Sequence, residues 1–269
     1  MGTKAAYAPD IGAPPSALDA RLQVLTTLPP EHLTALLAGD PTRAAPWVRA
    51  AAEAGLAEGQ VRYGRMLLDG TGVPQDRAAA YRWFLRAGAG GDAEGQNMVG
   101  RCFENGWGVA ADPAEAARWF AHAADQGHAW ACYNLGHLYL DGLGVAQDRD
   151  RAFTLYRQAA ETGHVRALNL LGRCFEEGWG VAVDADQARE AYRRSAEGGY
   201  FRGQYNFATL LVREGRIAQA VDWFEKALDG AVPASRAVMA RRLAESGVPE
   251  IRAEGLRALS AVAAPCKAV

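Results

Sequence analysis

No stretch of this sequence approaches the roughly 18 consecutive apolar residues that a membrane-spanning helix needs, so no segment reads as a membrane span. Charge of one sign is lacking too: 22% of the residues are charged and the formal net charge is −2, which gives no global reason to expect nucleic acid or an anionic surface as partner. Residues 1–15 hold one lysine and no apolar core of a signal peptide, so a cytoplasmic setting is expected. Catalytic signatures are scarce. The histidines His32, His122, His128, His137 and His164 form no H-x3-H pair and none stands beside a cysteine at zinc spacing, so no metal site is expected. No phosphate-binding G-x4-G-K-[ST] loop and no G-x-S-x-G elbow is present. The chain therefore reads as a non-enzyme with no cofactor and no catalytic residues.

What the sequence has in abundance is glycine at fixed intervals. Gly70-Thr71-Gly72-Val73, Gly106-Trp107-Gly108-Val109, Gly142-Leu143-Gly144-Val145 and Gly178-Trp179-Gly180-Val181 are spaced by 36 residues without slippage. A constant spacing of that length marks a repeat protein, each unit being one supersecondary element stacked on its neighbours. Asp40, Asp76, Asp112, Asp148 and Asp184 share the period, each placed to cap a helix by accepting a bond from an orphan backbone N–H. Gly55, Gly91, Gly127, Gly163 and Gly199 stand where those helices should end in a left-handed residue. The preceding helix of each unit carries Gly64, Gly100, Gly136 or Gly172 in mid-course. Because a helical glycine costs about 1 kcal/mol against alanine, these imply a backbone approach too close for a Cβ. The result is an all-α solenoid of antiparallel helix pairs.

The boundaries follow from the same periodicity. Residues 1–17 read as a disordered lead-in and 18–56 as capping helices with a partial repeat; four repeats cover 57–92, 93–128, 129–164 and 165–200. Over 201–235 the loop shortens to Gly215-Arg216-Ile217, and the unit looks tetratricopeptide-like. Residues 236–269 supply C-terminal capping helices and a tail, with 249–263 a candidate apolar end helix for self-association. A second period lies over the first. Arg101-Cys102-Phe103-Glu104 recurs as Arg173-Cys174-Phe175-Glu176, while the first and third repeats share Leu-Asp-Gly and Gln-Asp-Arg, as if a pair of units had been duplicated. Cys102 and Cys174, two repeats apart, would be separated by roughly 20 Å at ordinary helix spacing, against about 7 Å for a disulfide. With Cys132 and Cys266 they are read as free thiols, buried on apolar helix faces.

Helix, glycine loop, helix at this period resembles the Sel1-like repeat family, a relative of the tetratricopeptide repeat. The resemblance rests on residues such as Ala129, Leu135-Gly136, Gly142-x-Gly144-Val145, Asp148 and Ala152, and is fullest over 93–128 and 129–164. It implies a right-handed superhelix whose first helices line a concave face, and a scaffold or adaptor that holds a peptide there, acidic or C-terminal. Carried over by the resemblance, the open positions are Arg65, Arg101, His137, Arg173 and Thr209 at one phase and Val61, Asn97, Tyr133, Asn169 and Tyr205 at another, with Trp130 beside them. Arginine forks a carboxylate, asparagine bonds an extended backbone, and tyrosine offers broad contact at low entropic cost. Alternatively, Arg101 and Arg173 only pair with Glu104 and Glu176, three residues on. For Trp107 and Trp179 the expectation is packing between loops. The rival function is a binder of small molecules or cell-wall fragments with weak β-lactamase-like activity, as some members of the family are described, though their paired cysteines within each unit are lacking here.

Overall fold

Each 36-residue segment becomes a helix, a tight loop and a second helix, because the loop and cap chemistry repeats at that interval. In the computed structural model residues 39–263 are described; the expected lead-in, the helices expected over 18–38, His32 and Cys266 lie outside them. The described residues form thirteen α-helices: α1 (Pro41–Glu53), α2 (Ala57–Asp69), α3 (Arg77–Ala89), α4 (Ala93–Asn105), α5 (Pro113–Asp125), α6 (Ala129–Asp141), α7 (Arg149–Glu161), α8 (Val165–Glu177), α9 (Ala185–Glu197), α10 (Phe201–Arg213), α11 (Ile217–Gly230), α12 (Pro233–Ala244) and α13 (Pro249–Ala263). They divide into two compact units at Ala111/Asp112, the first holding α1–α4 and the second α5–α13. In each unit consecutive helices pack on one another.

The aspartates start the second helix of each pair. Asp76 accepts from Ala79 N at 2.8 Å, Asp148 from Arg151 N at 2.9 Å and Asp184 from Gln187 N at 3.0 Å, each satisfying a donor the first helical turn leaves open. Their own amides return to the end of the preceding helix, Asp76 N to Leu67 O at 2.8 Å and Asp184 N to Phe175 O at 3.0 Å, which fixes the angle between the paired helices. Gly180 turns the loop at φ +68, and a Cβ there would collide with the Arg149 carbonyl. The two alternating loop sequences have two physical solutions. In the first and third repeats Gln75 and Gln147 donate to the carbonyls of Leu68 and Leu140, at 2.8 and 2.7 Å. In the second and fourth a guanidinium covers a tryptophan ring instead: Arg101 on Trp107 and Arg173 on Trp179.

The mid-helix glycines Gly64, Gly136 and Gly172 make room for rings, which corrects the expectation of backbone contact there. A Cβ on Gly136 would stand 2.6 Å from Tyr156 Cε1, and one on Gly172 2.7 Å from Tyr192. The close backbone approach occurs nearer the helix start, where a Cβ on Gly59 would lie 2.9 Å from the Ala51 carbonyl carbon. In the second unit Tyr156, Tyr192 and Phe224, like Phe120 on α5, are large buried side chains, the first three set among Ala152, Ala188, Ala220 and Leu211. At the chain's end α13 buries Ile251 and Ala258 and packs on α11 and α12. The apolar face that suggested self-association is thus covered from within; Leu256 is the large apolar side chain of α13 left exposed among its described residues.

Candidate functional site

The first helices of the pairs in the second unit, α6, α8, α10 and α12, line a groove of about 910 Å³. It contains six of the residues the sequence singles out: Tyr133 and His137 on α6, Asn169 and Arg173 on α8, and Tyr205 and Thr209 on α10. Around them stand Arg166, Tyr200, Phe201, Arg202, Arg213 and Arg242. Five arginines against Glu176 and Glu177 give the lining a formal excess of three positive charges, in a chain whose total is −2.

The arginines are held by stacking more than by salt bridges. Arg166 lies 5.1 Å from the centroid of Trp130 and 5.6 Å from that of Tyr200, and Arg173 lies 4.5 Å from Trp179. A ring face attracts a cation without neutralising it, so these guanidiniums stay available to an anion. Among the described residues no carboxylate lies within ion-pair distance of Arg166, Arg173, Arg202 or Arg242. Arg213, by contrast, is paired with Glu176 at 2.8 Å. Glu176 also accepts from the Tyr192 hydroxyl at 2.7 Å. The expected pairing of Arg173 with Glu176 therefore gives way to two other partners for the glutamate, and to Trp179 for the arginine.

The aromatic groups form a continuous cluster beneath the basic ones. Trp130 meets His164 edge-on at 4.5 Å and Tyr133 at 5.8 Å; Tyr133 meets His137 at 4.7 Å, and His137 meets Tyr156 at 5.7 Å. Burial, reinforced by Arg202 and Arg173 against an opposing Asp141, lowers the pKa of His137, so this ring is neutral near pH 7 and adds no charge to the groove. His164 caps α8 by accepting from Ala167 N at 3.2 Å, and burial with the nearby Arg166 and His128 lowers its pKa to about 4. Tyr133 is raised, first by burial and then by Tyr200, against the pull of Arg166 and Arg202.

The remaining expected site residues stand elsewhere. Trp130 is 43% exposed and meets the groove's edge through Tyr133 and Arg166. Arg65, Asn97 and Arg101 belong to the first unit and do not line the groove. Arg65 is paired with Glu94. Arg101 lies 4.9 Å from the Trp107 centroid, while Glu104 accepts from Asn105. The asparagines are not open, as the resemblance implied: Asn97 is 3% exposed and Asn169 4%, the latter accepting from Asn206 Nδ2 at 2.8 Å. Asn169 still borders the groove, as Tyr133 and Tyr205 do at the same phase, but a buried amide needs its bonds inside the protein.

Two residues at the heart of the groove, Arg166 and Arg202, were missed. Both occupy the second position of a first helix, where the equivalent residues are Glu58, Glu94 and Trp130. The change from acid to base at one phase was the signal, visible only when the repeats are compared position by position. As for catalysis, Cys102, Cys132 and Cys174 are free and buried. Burial pushes the thiols of Cys102 and Cys174 up to about 12, and Cys132 upward as well, so none offers a thiolate near pH 7. Among the described residues no group of three His, Cys, Asp or Glu could hold a metal ion, and no helix is long and apolar enough to cross a membrane.

The Sel1 repeat model matches residues 57–92, 93–128, 131–164, 165–200 and 217–231. The chain belongs to the Sel1 repeat family. The last match falls within the segment that the sequence alone suggested was tetratricopeptide-like. Among solved structures, the chain is similar to a Sel1 repeat protein from Oxalobacter formigenes, with TM-score 0.74 and 25% identity over 87% of this chain and 98% of that one. It is also similar to a protective antigen of uropathogenic Escherichia coli strains that displays an SLR fold, with TM-score 0.67 and 26% identity over 92% of this chain. The chain spans 56% of the length of that antigen. No curated protein matches the sequence. Sel1 repeat proteins are generally protein-interaction scaffolds and generally non-enzymatic.

Proposed function

We propose that this Sel1 repeat protein is a non-catalytic adaptor that holds an acidic peptide segment of a partner protein in the groove lined by α6, α8, α10 and α12. The observation that carries this reading is the set of guanidiniums of Arg166, Arg173, Arg202 and Arg242 in one groove, without carboxylate partners among the described residues. A peptide carboxylate entering there trades water for charge-assisted hydrogen bonds to a planar fork. Tyr133, Tyr200, Phe201 and Tyr205 give the same segment broad contact area that is already held in place by neighbouring rings. Asn206 and Thr209, also in the lining, are suited to a peptide backbone.

Selection of a random-peptide display library on the immobilised full chain tests the reading. Peptides enriched in Asp and Glu are expected, with the enrichment lost when Arg166→Glu and Arg202→Glu are combined in a protein of unchanged helical circular dichroism. Enrichment of neutral or basic peptides, or an unchanged profile in the double variant, would overturn it.

A further inference from the structure

The groove has two chemically different sides. Toward α8 and α10 it is lined by Arg166, Arg173 and Arg202; the α12 side contributes Ala234, Ser235, Val238 and Met239, with Arg242 one turn beyond Val238. Val238 is 48% exposed, although it lines a concavity rather than standing on open surface. Met239 beside it is buried. An aliphatic side chain left in water inside a groove is where a ligand's apolar group gains most by leaving water, whereas Phe201 and Tyr205 beside the arginines are already packed against Tyr200 and Phe224.

Resting on the peptide-binding reading, we infer that the groove recognises a bipartite segment: acidic residues seated among Arg166, Arg173 and Arg202, and one apolar side chain that packs on Val238 and Met239. Complementary charge decides where the segment lies; the apolar residue decides which acidic segments are kept. From α8 to α12 there are two first-helix steps of about 8–10 Å each, and an extended chain advances about 3.3 Å per residue, so the two parts are separated by about five to six residues. A purely acidic tract leaves the α12 side empty and is held chiefly by screened charge, which weakens steeply with salt.

Three fluorescein-labelled peptides measured by anisotropy on the full chain test this. The first has an acidic stretch and a leucine about six residues away; the second replaces that leucine by serine; the third moves it next to the acids. The first peptide is expected to bind about fivefold to tenfold more tightly than the other two. Val238→Ser should remove most of that advantage while leaving the affinity for the serine peptide unchanged, in a protein whose circular dichroism matches the parent. Equal affinity for the leucine and serine peptides on the parent protein would overturn the bipartite inference and leave the acidic-peptide reading standing. Failure of all three to bind would overturn both. Sedimentation of the protein alone covers the remaining occupant: a dimer that dissociates in Val238→Asp would show a second copy in the groove and overturn the inference.

Discussion

The guanidinium of Arg173 lies 4.5 Å from the centroid of the Trp179 ring, and so ties the glycine loop after α8 to the helix face that lines the groove. The same arrangement holds Arg101 to Trp107 at 4.9 Å, two repeats earlier. Loop and ladder are thus one structure at every second repeat. The tryptophan does not mark a separate site; it orients an arginine and leaves the charge free. Arg173→Ala is expected to destabilise the protein by about 0.5–1 kcal/mol, the usual worth of an exposed cation–π contact, as read from urea unfolding. Arg173→Lys should recover only part of this, since the planar stacking is lost.

Tyr156 and Tyr192 are repeat-equivalent and almost fully buried, yet their hydroxyls have different fates. Tyr192 donates to Glu176 at 2.7 Å, whereas the Tyr156 hydroxyl has no partner among the described residues, because Leu140 stands at the phase of Glu176. Tyr192→Phe should cost about 1.5–3 kcal/mol, as for a bond to a charged acceptor, while Tyr156→Phe should be neutral or stabilising. Paired denaturation curves decide it; equal losses would contradict the assignment.

Two glycine variants separate strain from collision. Gly199 has φ +82 with nothing within 4 Å of an added Cβ, so Gly199→Ala should cost about 1–2 kcal/mol from the left-handed conformation alone. Gly180 has a similar φ and in addition faces the Arg149 carbonyl. Gly180→Ala should therefore lower the thermal midpoint clearly more than Gly199→Ala.

How much of this was legible in the sequence depended on how local the physics was. Asp76, Asp148 and Asp184 cap helices through atoms three residues away, and Gly55, Gly70 and Gly178 adopt positive φ for reasons confined to one turn. Such features repeat with the period and were read directly. Asn169 lines the groove with Tyr133 and Tyr205 of its phase, but its openness was misjudged: the amide is 4% exposed and bonded to Asn206, a partner one repeat on that the period does not mark. Arg166 was hidden for the opposite reason. It breaks the pattern of its phase, and its position depends on Trp130, in the repeat before, and on Tyr200, at the far end of its own repeat.

His164 gives the stability a pH dependence in a defined window. Its folded pKa is lowered to about 4 from an ordinary value of 6.5, so between these pH values the unfolded chain binds the proton that the folded chain refuses. Its contribution is complete above pH 6.5 and is lost as the pH falls toward 4. His164→Asn keeps a side-chain cap on α8 but removes the titration. The variant is expected to lose less stability than the parent between pH 7 and pH 5, as measured by urea midpoints; parallel losses would contradict the role of the buried imidazole.

The central claim, that the groove between α6 and α12 holds an acidic peptide, is tested most directly by photo-cross-linking. A photoreactive phenylalanine analogue placed at Tyr205, inside the groove, or at Asp222 on α11, outside its lining, is irradiated with an acidic peptide recovered from the display selection. The account predicts an adduct at position 205, suppressed by high salt and by Arg202→Glu, with little at position 222. Equal labelling at both positions, or an adduct at 205 that is indifferent to salt and to Arg202→Glu, would contradict it.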